Sequence, residues 1–432
     1  MKKLIFIFFL FGSHILCAQT TLWSEDFSSG AETTSGTATG TPGGTWSVTT
    51  TPSGTFQRQS PFGIDGFYIN NTVTEGVWES NNFSITATGM VTVSIELSTL
   101  LTSSSDYLRA YYRVDSGPEI LFAQINGSVV SLTTSGSAIV SGSNLRIVVR
   151  GIETTAGALS LFRFNTVVAT SVPVVYSRAS TAWNLGTTWS TTGFIGASCA
   201  CTPTTSQVAI IGGGFTVDLT ADALVGGVDI QNTGTLRYTA ANLDLGIEAG
   251  LLRVRSGGTV NRNGQSAAQI DYNQNVGGAS LQVDAGGTVT IEDVTLTANA
   301  TNLHYFTGDG SLTIADDILI GADNATLTNN MTTTVTVTDR IEFSAATNNS
   351  AFVNNGTITA VTLFFDDDTN FFTNNSTATF SGDITANGNG DDSNTITNNA
   401  SAILGFVNLD GDAAAATPEA KTGTRLTHSL AA

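Results

Sequence analysis

One short phrase returns four times in the second half of this 432-residue chain: an apolar residue, Thr or Val, two asparagines, any residue, then Ser or Thr. The copies begin at Leu327, Phe352, Phe372 and Ile396, spaced 25, 20 and 24 residues apart. That period suits a parallel β-solenoid, in which each turn buries its apolar face only against the turns on either side. Three earlier segments, beginning at Val228, Leu252 and Leu281, share a related template of two alternating apolar positions, a turn, Gly-Thr and a third apolar residue. The segment at Phe352 joins the two series, because Asn354-Asn355-Gly356 stands where the earlier copies turn. A corner repeated on every rung must accept left-handed backbone angles, which Gly takes freely and Asn tolerates. Asparagines stacked rung on rung can also bond side chain to side chain as amide ladders.

The N-terminus reads as a secretory signal peptide over 1–18: Lys2-Lys3, an apolar run from Leu4 to Leu16, and Ala18 before Gln19. Leu16, standing where a small residue should precede Cys17, argues against lipidation there. No later stretch approaches about 18 apolar residues, so no transmembrane segment is expected in the mature chain. Removing the signal leaves 14 basic against 35 acidic residues, a net charge of −21, which argues against nucleic acid as a partner. No lysine lies between Lys3 and Lys421. Cys199 and Cys201 are too few for a structural zinc site and lack the C-x-x-C spacing of a redox motif, so they read as a local disulfide or two loop thiols.

From Leu22 to about Thr170 the chain runs in short alternating segments, among them 90–97, 107–114 and 145–149, that read as half-buried strands. Enough of them in about 150 residues make a two-sheet antiparallel sandwich. Three motifs carry a resemblance: Leu22-Trp-Ser-Glu25-Asp26-Phe27, Asp106-Tyr-Leu-Arg-Ala-Tyr111-Tyr112-Arg-Val-Asp115, and Phe162-Arg-Phe164-Asn165-Thr-Val167. The region resembles the jelly-roll modules that begin secreted surface proteins of type IX secretion systems. The resemblance implies a calcium ion tying first strand to last, with Glu25 and Asp26 as ligands and Asn165 where that family commonly has Asp. From Trp183 through Val260 the chain is similar to the start of parallel β-helix regions in large bacterial surface proteins, many of them adhesins.

The expected fold is all-β: signal peptide 1–18, jelly-roll sandwich 19–171, linker and solenoid cap 172–207, parallel β-helix 208–412, irregular tail 413–432. Trp183 and Trp189 are expected to cap the first rung, with exposed carbohydrate platforms as the alternative. The tail carries no rung template, and the expectation is a reading frame truncated or shifted near Asp412.

Chemistry is sparse. A uronate lyase needs a base and cations beside the substrate acid, and the solenoid offers only scattered arginines, with Arg253 and Arg255 alternating on one strand. A hydrolase needs two facing carboxylates; Asp316-Asp317 and Asp366-Asp367-Asp368 are the candidates, with Asp366 and Asp368 also weighed as calcium ligands. His304 is expected to be a satisfied histidine at a rung corner. Gly212-Gly213-Gly214 sits between two strands without a following helix and is a turn, not a phosphate loop. The leading reading is a secreted or cell-surface adhesin-like protein that binds extracellular glycans or cell-surface components, with Trp46, Trp78, Tyr111 and Tyr112 as stacking residues. The alternative is a secreted polysaccharide lyase or hydrolase. A third reading takes the threonine-rich stretch 332–338 as an ice-binding array, which would need the same spacing on many rungs and is found here on one.

Overall fold

The computed structural model describes residues 20–428 apart from 29–31, 40–43, 86–89, 128, 155–159, 273–278, 298–302, 345–346, 367–368, 387–393, 400–401, 404–406 and 409–424. The signal peptide, Asp367 and Asp368, and the breakpoint at Asp412 therefore lie outside the described residues. The chain is all-β, and no helix among the described residues is long and apolar enough to cross a membrane.

Up to Ser171 the strands form two antiparallel sheets. One is ordered Ser131–Ser141, Met90–Leu100, Leu161–Ser171, Gly66–Asn70, Thr55–Gln59, with Thr21–Glu25 also paired to Leu161–Ser171. The other runs Ile120–Asn126, Tyr107–Val114, Asn144–Ile152, Gly76–Ser80, Thr45–Thr50, Ser35–Thr37. The alternation expected at 90–97 appears in Met90–Leu100, where every second residue is buried. Both sheets feed one core centred on Trp23, Trp46, Trp78, Phe67 and Phe164.

Beyond Val174 the chain winds into a parallel solenoid whose turns add strands to three faces. It starts inside the segment expected as linker: Val174–Ser177 already pairs in parallel with Val208–Ile211. Trp183 and Trp189 are buried in this first turn, 4.9 Å apart between ring centroids, and Cys199 is disulfide-bonded to Cys201 beside them. The first and third faces merge into one sheet, because Ala223–Ile230 and Asp244–Val254 round their shared corner without a break. The second face is a separate sheet from Thr216–Leu219 to Ala402–Ile403. At the Gly212–Gly214 turn between the first and second faces, Gly214 takes φ +80°. Past 408 the only described segment, Arg425–His428, pairs with Thr395–Asn398.

The repeats align as written within each series: Val228 stacks on Leu252 and Leu252 on Leu281, while Leu327, Phe352, Phe372 and Ile396 form one column. Between the series the alignment needs correction. Leu281 pairs with Phe306, Phe306 with Asn329 and Asn329 with Asn354, so the column of Val228 continues into the first asparagine of the later phrase, not its apolar residue. The corner from this column to the second face shortens stepwise, from Val228-to-Leu236 through Asn329-to-Val335 to Asn354-to-Ile358, by two residues each time, and an even offset keeps every side chain on its own face of a strand.

That column gives the solenoid a polar spine. Asn329, Asn354, Asn374 and Asn398 point inward and are buried, and each Nδ2 donates to the Oδ1 of the next at 2.8, 2.8 and 2.9 Å. Outside, the second asparagines run the opposite way: Asn399 donates to Asn375, Asn375 to Asn355 and Asn355 to Asn330, at 2.8–2.9 Å. A further buried set at another corner, Ser350, Asn370 and Asn394, is linked by the backbone N–H of Ser350 donating to Asn370 Oδ1 and that of Asn370 donating to Asn394 Oδ1.

The second face overturns the expectation of a threonine pair on one rung only. Its outward pairs are Thr288/Thr290, Ser311/Thr313, Thr334/Thr336, Thr357/Thr359 and Thr377/Thr379, stacked in register on five successive strands. Rung lengths vary through the corners, which hides this alignment from a fixed sequence period.

Candidate functional site

The two-sheet unit is docked against the first solenoid face. Met90, Ile139 and Val172 pack with Val208, Ile210 and Leu251 in a small apolar cluster. Beside it Arg253 bridges the two parts, donating from Nη1 to Ser141 Oγ at 2.8 Å while holding Asp284 Oδ2 from Nε and Nη2. Arg255 sits one position over, paired with the buried Asp229 at 2.8 Å.

Next to this joint lies a cleft of about 680 Å³. Its floor is one outward column of the solenoid, in which Arg253 stacks on Gln282, Gln282 on Thr307 and Thr307 on Asn330. Asn355 continues it, its Nδ2 donating a hydrogen bond to Asn330 Oδ1. Rungs about 4.8 Å apart thus set amide and hydroxyl groups at even steps. The wall comes from the two-sheet unit, with Val114, Pro118 and Ile120 as apolar surface and Glu119 as its charge. Glu119 is held by Arg113 at 2.7 Å and Arg150 at 2.8 Å, and the Arg150 hydrogen bond, outweighing burial, keeps its carboxyl below the usual range. Asp115 is occupied as well, accepting from the backbone N–H of Asn144 at 2.9 Å. Arg253 and Glu119 are each held in ion pairs, Asp309 lines the solenoid side with no ion pair among the described residues, and the rest of the floor is amide and hydroxyl, with Gln282 tied to Asp284 and Asn355 to Asn330.

Of the residues named for glycan stacking, only Tyr112 borders this cleft, and it does so with a nearly buried ring. Trp46 and Trp78 are 2% and 0% exposed and Tyr112 is 5% exposed, so their rings lie in the core and offer no face to a sugar. Tyr111 is half-buried on the opposite side of its strand, its hydroxyl pushed above its ordinary pKa by burial.

The calcium set is brought to one end of the two-sheet unit, since Glu25 pairs with Val167, but its oxygens are already engaged. Glu25 is buried and accepts from Phe27 N–H at 2.6 Å and Trp46 Nε1 at 2.8 Å, with burial raising its pKa. Asp26 accepts from Ser28 N–H and Asn165 from Thr166 N–H. Calcium takes six to eight converging oxygens, and these three side chains do not fit that need. Asp366 begins a turn, its N–H donating to Phe343.

Stacking creates an acidic group the sequence reading only half anticipated: Asp293, Asp316 and Asp317 offer carboxylate oxygens within 4.8 Å of one another. Burial and then the neighbouring carboxylates raise Asp316, while Asp317 is tied to Arg340 Nε at 3.0 Å. The arrangement is one of acids compensated by arginine on a solenoid edge. His304 differs from expectation: it faces inward, 2% exposed, both ring nitrogens lack a hydrogen-bond partner, and burial lowers its pKa to about 3. Gln282 and Thr307, central to the cleft floor, carried no sequence signal beyond occupying outward positions of stacked strands. No family model matches the chain, and no curated protein matches it.

Proposed function

We propose that this chain is a secreted or cell-surface, adhesin-like protein that holds a glycan in the cleft between its N-terminal module, read as a jelly roll, and its β-solenoid. The observation that carries the reading is the cleft floor, a straight column of amide and hydroxyl side chains against an apolar wall. Neutral polar groups that both donate and accept, beside apolar surface, are what sugar hydroxyls and ring faces require. The lyase reading loses support because Arg253 and Arg255, the cations it would use, are each committed to an aspartate.

The test incubates purified protein with soluble and insoluble polysaccharides, in calcium or in EDTA, scoring retention and released sugar ends together. Retention that is lost in a folded Thr307→Trp variant, which fills the cleft, is the expected result. Retention unchanged by that substitution discards the cleft. Release of sugar ends replaces binding with catalysis, and loss of retention in EDTA brings calcium back into the site.

A further inference from the structure

We propose that the second solenoid face binds ice. From Thr288 to Thr379 its outward positions hold nine threonines and one serine, in two ranks on five strands, without a charged residue among them. In a chain with 35 acidic residues, a charge-free surface of this extent is a distinct feature. The ten side chains are exposed or half-exposed, and none of their hydroxyls bonds to another described residue, so water is their partner. The face points away from the docked module, which touches only first-face strands in the apolar joint.

Geometry selects the ligand. Parallel rungs repeat at about 4.8 Å, and two residues along a strand span about 6.6 Å. These two spacings lie close to the oxygen repeats of an ice prism face, so each hydroxyl, able to donate and accept, can occupy a lattice position. The γ-methyl groups between them order the adjoining water rather than bind it. β-Branched side chains on strands are stiff at χ1, so the array is set before ice arrives and little side-chain entropy is lost on contact. A charged residue would orient water radially and break the match.

The asparagine ladders hold this array in register. The corner they occupy leads directly into the threonine strands, and the buried amides also reach the array backbone: Asn329 Nδ2 lies 3.4 Å from Thr357 O and Asn354 Nδ2 3.0 Å from Thr377 O. Sheets normally twist, and side-chain ladders are one of the few devices that keep them flat. A flat face is what a crystal plane demands.

The test grows ice slowly from a dilute solution of the full protein and measures its partition into the solid, together with crystal shape at the growth front. The wild type is expected to enter the ice and facet the crystals. Thr336→Tyr, in the middle rung, is expected to fall to the exclusion level of a non-binding protein. Thr385→Tyr, on the third face where Phe364 in the neighbouring strand already presents a ring, is expected to behave as wild type. Thr334→Lys, at an exposed position, replaces Thr336→Tyr if circular dichroism shows that variant unfolded. Exclusion of the wild type overturns the inference, as does full incorporation of the folded array variants. The cleft variant Thr307→Trp is expected to keep its ice partition, so failure of glycan binding and failure of ice binding are read separately.

Discussion

At the scale of single residues, buried polarity decides what can be changed. Asn354 both donates to Asn374 and accepts from Asn329, so Asn354→Ala strands a donor and an acceptor in the interior. A loss of about 1–3 kcal/mol is expected on that basis, whereas Asn355→Ala on the exposed ladder should stay within about 0.5 kcal/mol; chemical denaturation of both variants measures the contrast. His304 is a second case. Its folded pKa is depressed from 6.5 to about 3, so below pH 6.5 the unfolded chain takes up a proton that the folded chain refuses. Stability is complete above 6.5 and falls as pH drops toward 3, by roughly 1.4 kcal/mol per unit in that window. His304→Leu, matching Leu327 on the next rung, should raise stability and flatten the thermal midpoint between pH 6.5 and 4.5. The asparagines announce themselves by their spacing; the histidine's orphaned nitrogens do not, because nothing local marks a residue as inward-facing and unpartnered.

Among elements, the solenoid corners set register and the joint sets the cleft. The apolar patch of Met90, Ile139, Val172, Val208, Ile210 and Leu251 is small, and Arg253 reaching Ser141 is a principal polar clasp beside it. Ile139→Asp places an unpaired carboxylate in that patch, where burying a charge is costly. Calorimetry is expected to show a single unfolding transition in the wild type separating into two in this variant, with glycan retention lost as the cleft opens. A single unchanged transition would show that the covalent connection at Val172 suffices to couple the parts. The strands of the N-terminal unit and the rung template were legible because alternation and turn residues are local properties. The two-residue slip between the repeat series was not, since it arises where one corner is shorter than another.

Across the whole molecule, one rod presents two surfaces of different character. The first face, partly roofed by the N-terminal module, makes a cleft, and the second carries, from Thr288 to Thr379, an open and uncharged array of hydroxyls. The acidic surface elsewhere, net −21 after the expected signal is removed, favours solubility and repels anionic polymers. Neutral glycans are therefore expected to outcompete uronate-rich ones for the cleft, and added salt is expected to narrow that difference by screening; retention across a charge series at low and high ionic strength checks it. By itself the sequence determined the all-β class, the stacked turns, the asparagine corners and the acidic, lysine-poor surface, because these follow from period, turn chemistry and composition. Only the tertiary structure decided which outward residues share a column, which aromatic rings are buried, and that hydroxyl pairs from five rungs stack on one face. Those are relations between residues some twenty positions apart, set by corners of unequal length, and they exist only once each turn has settled on the one before it.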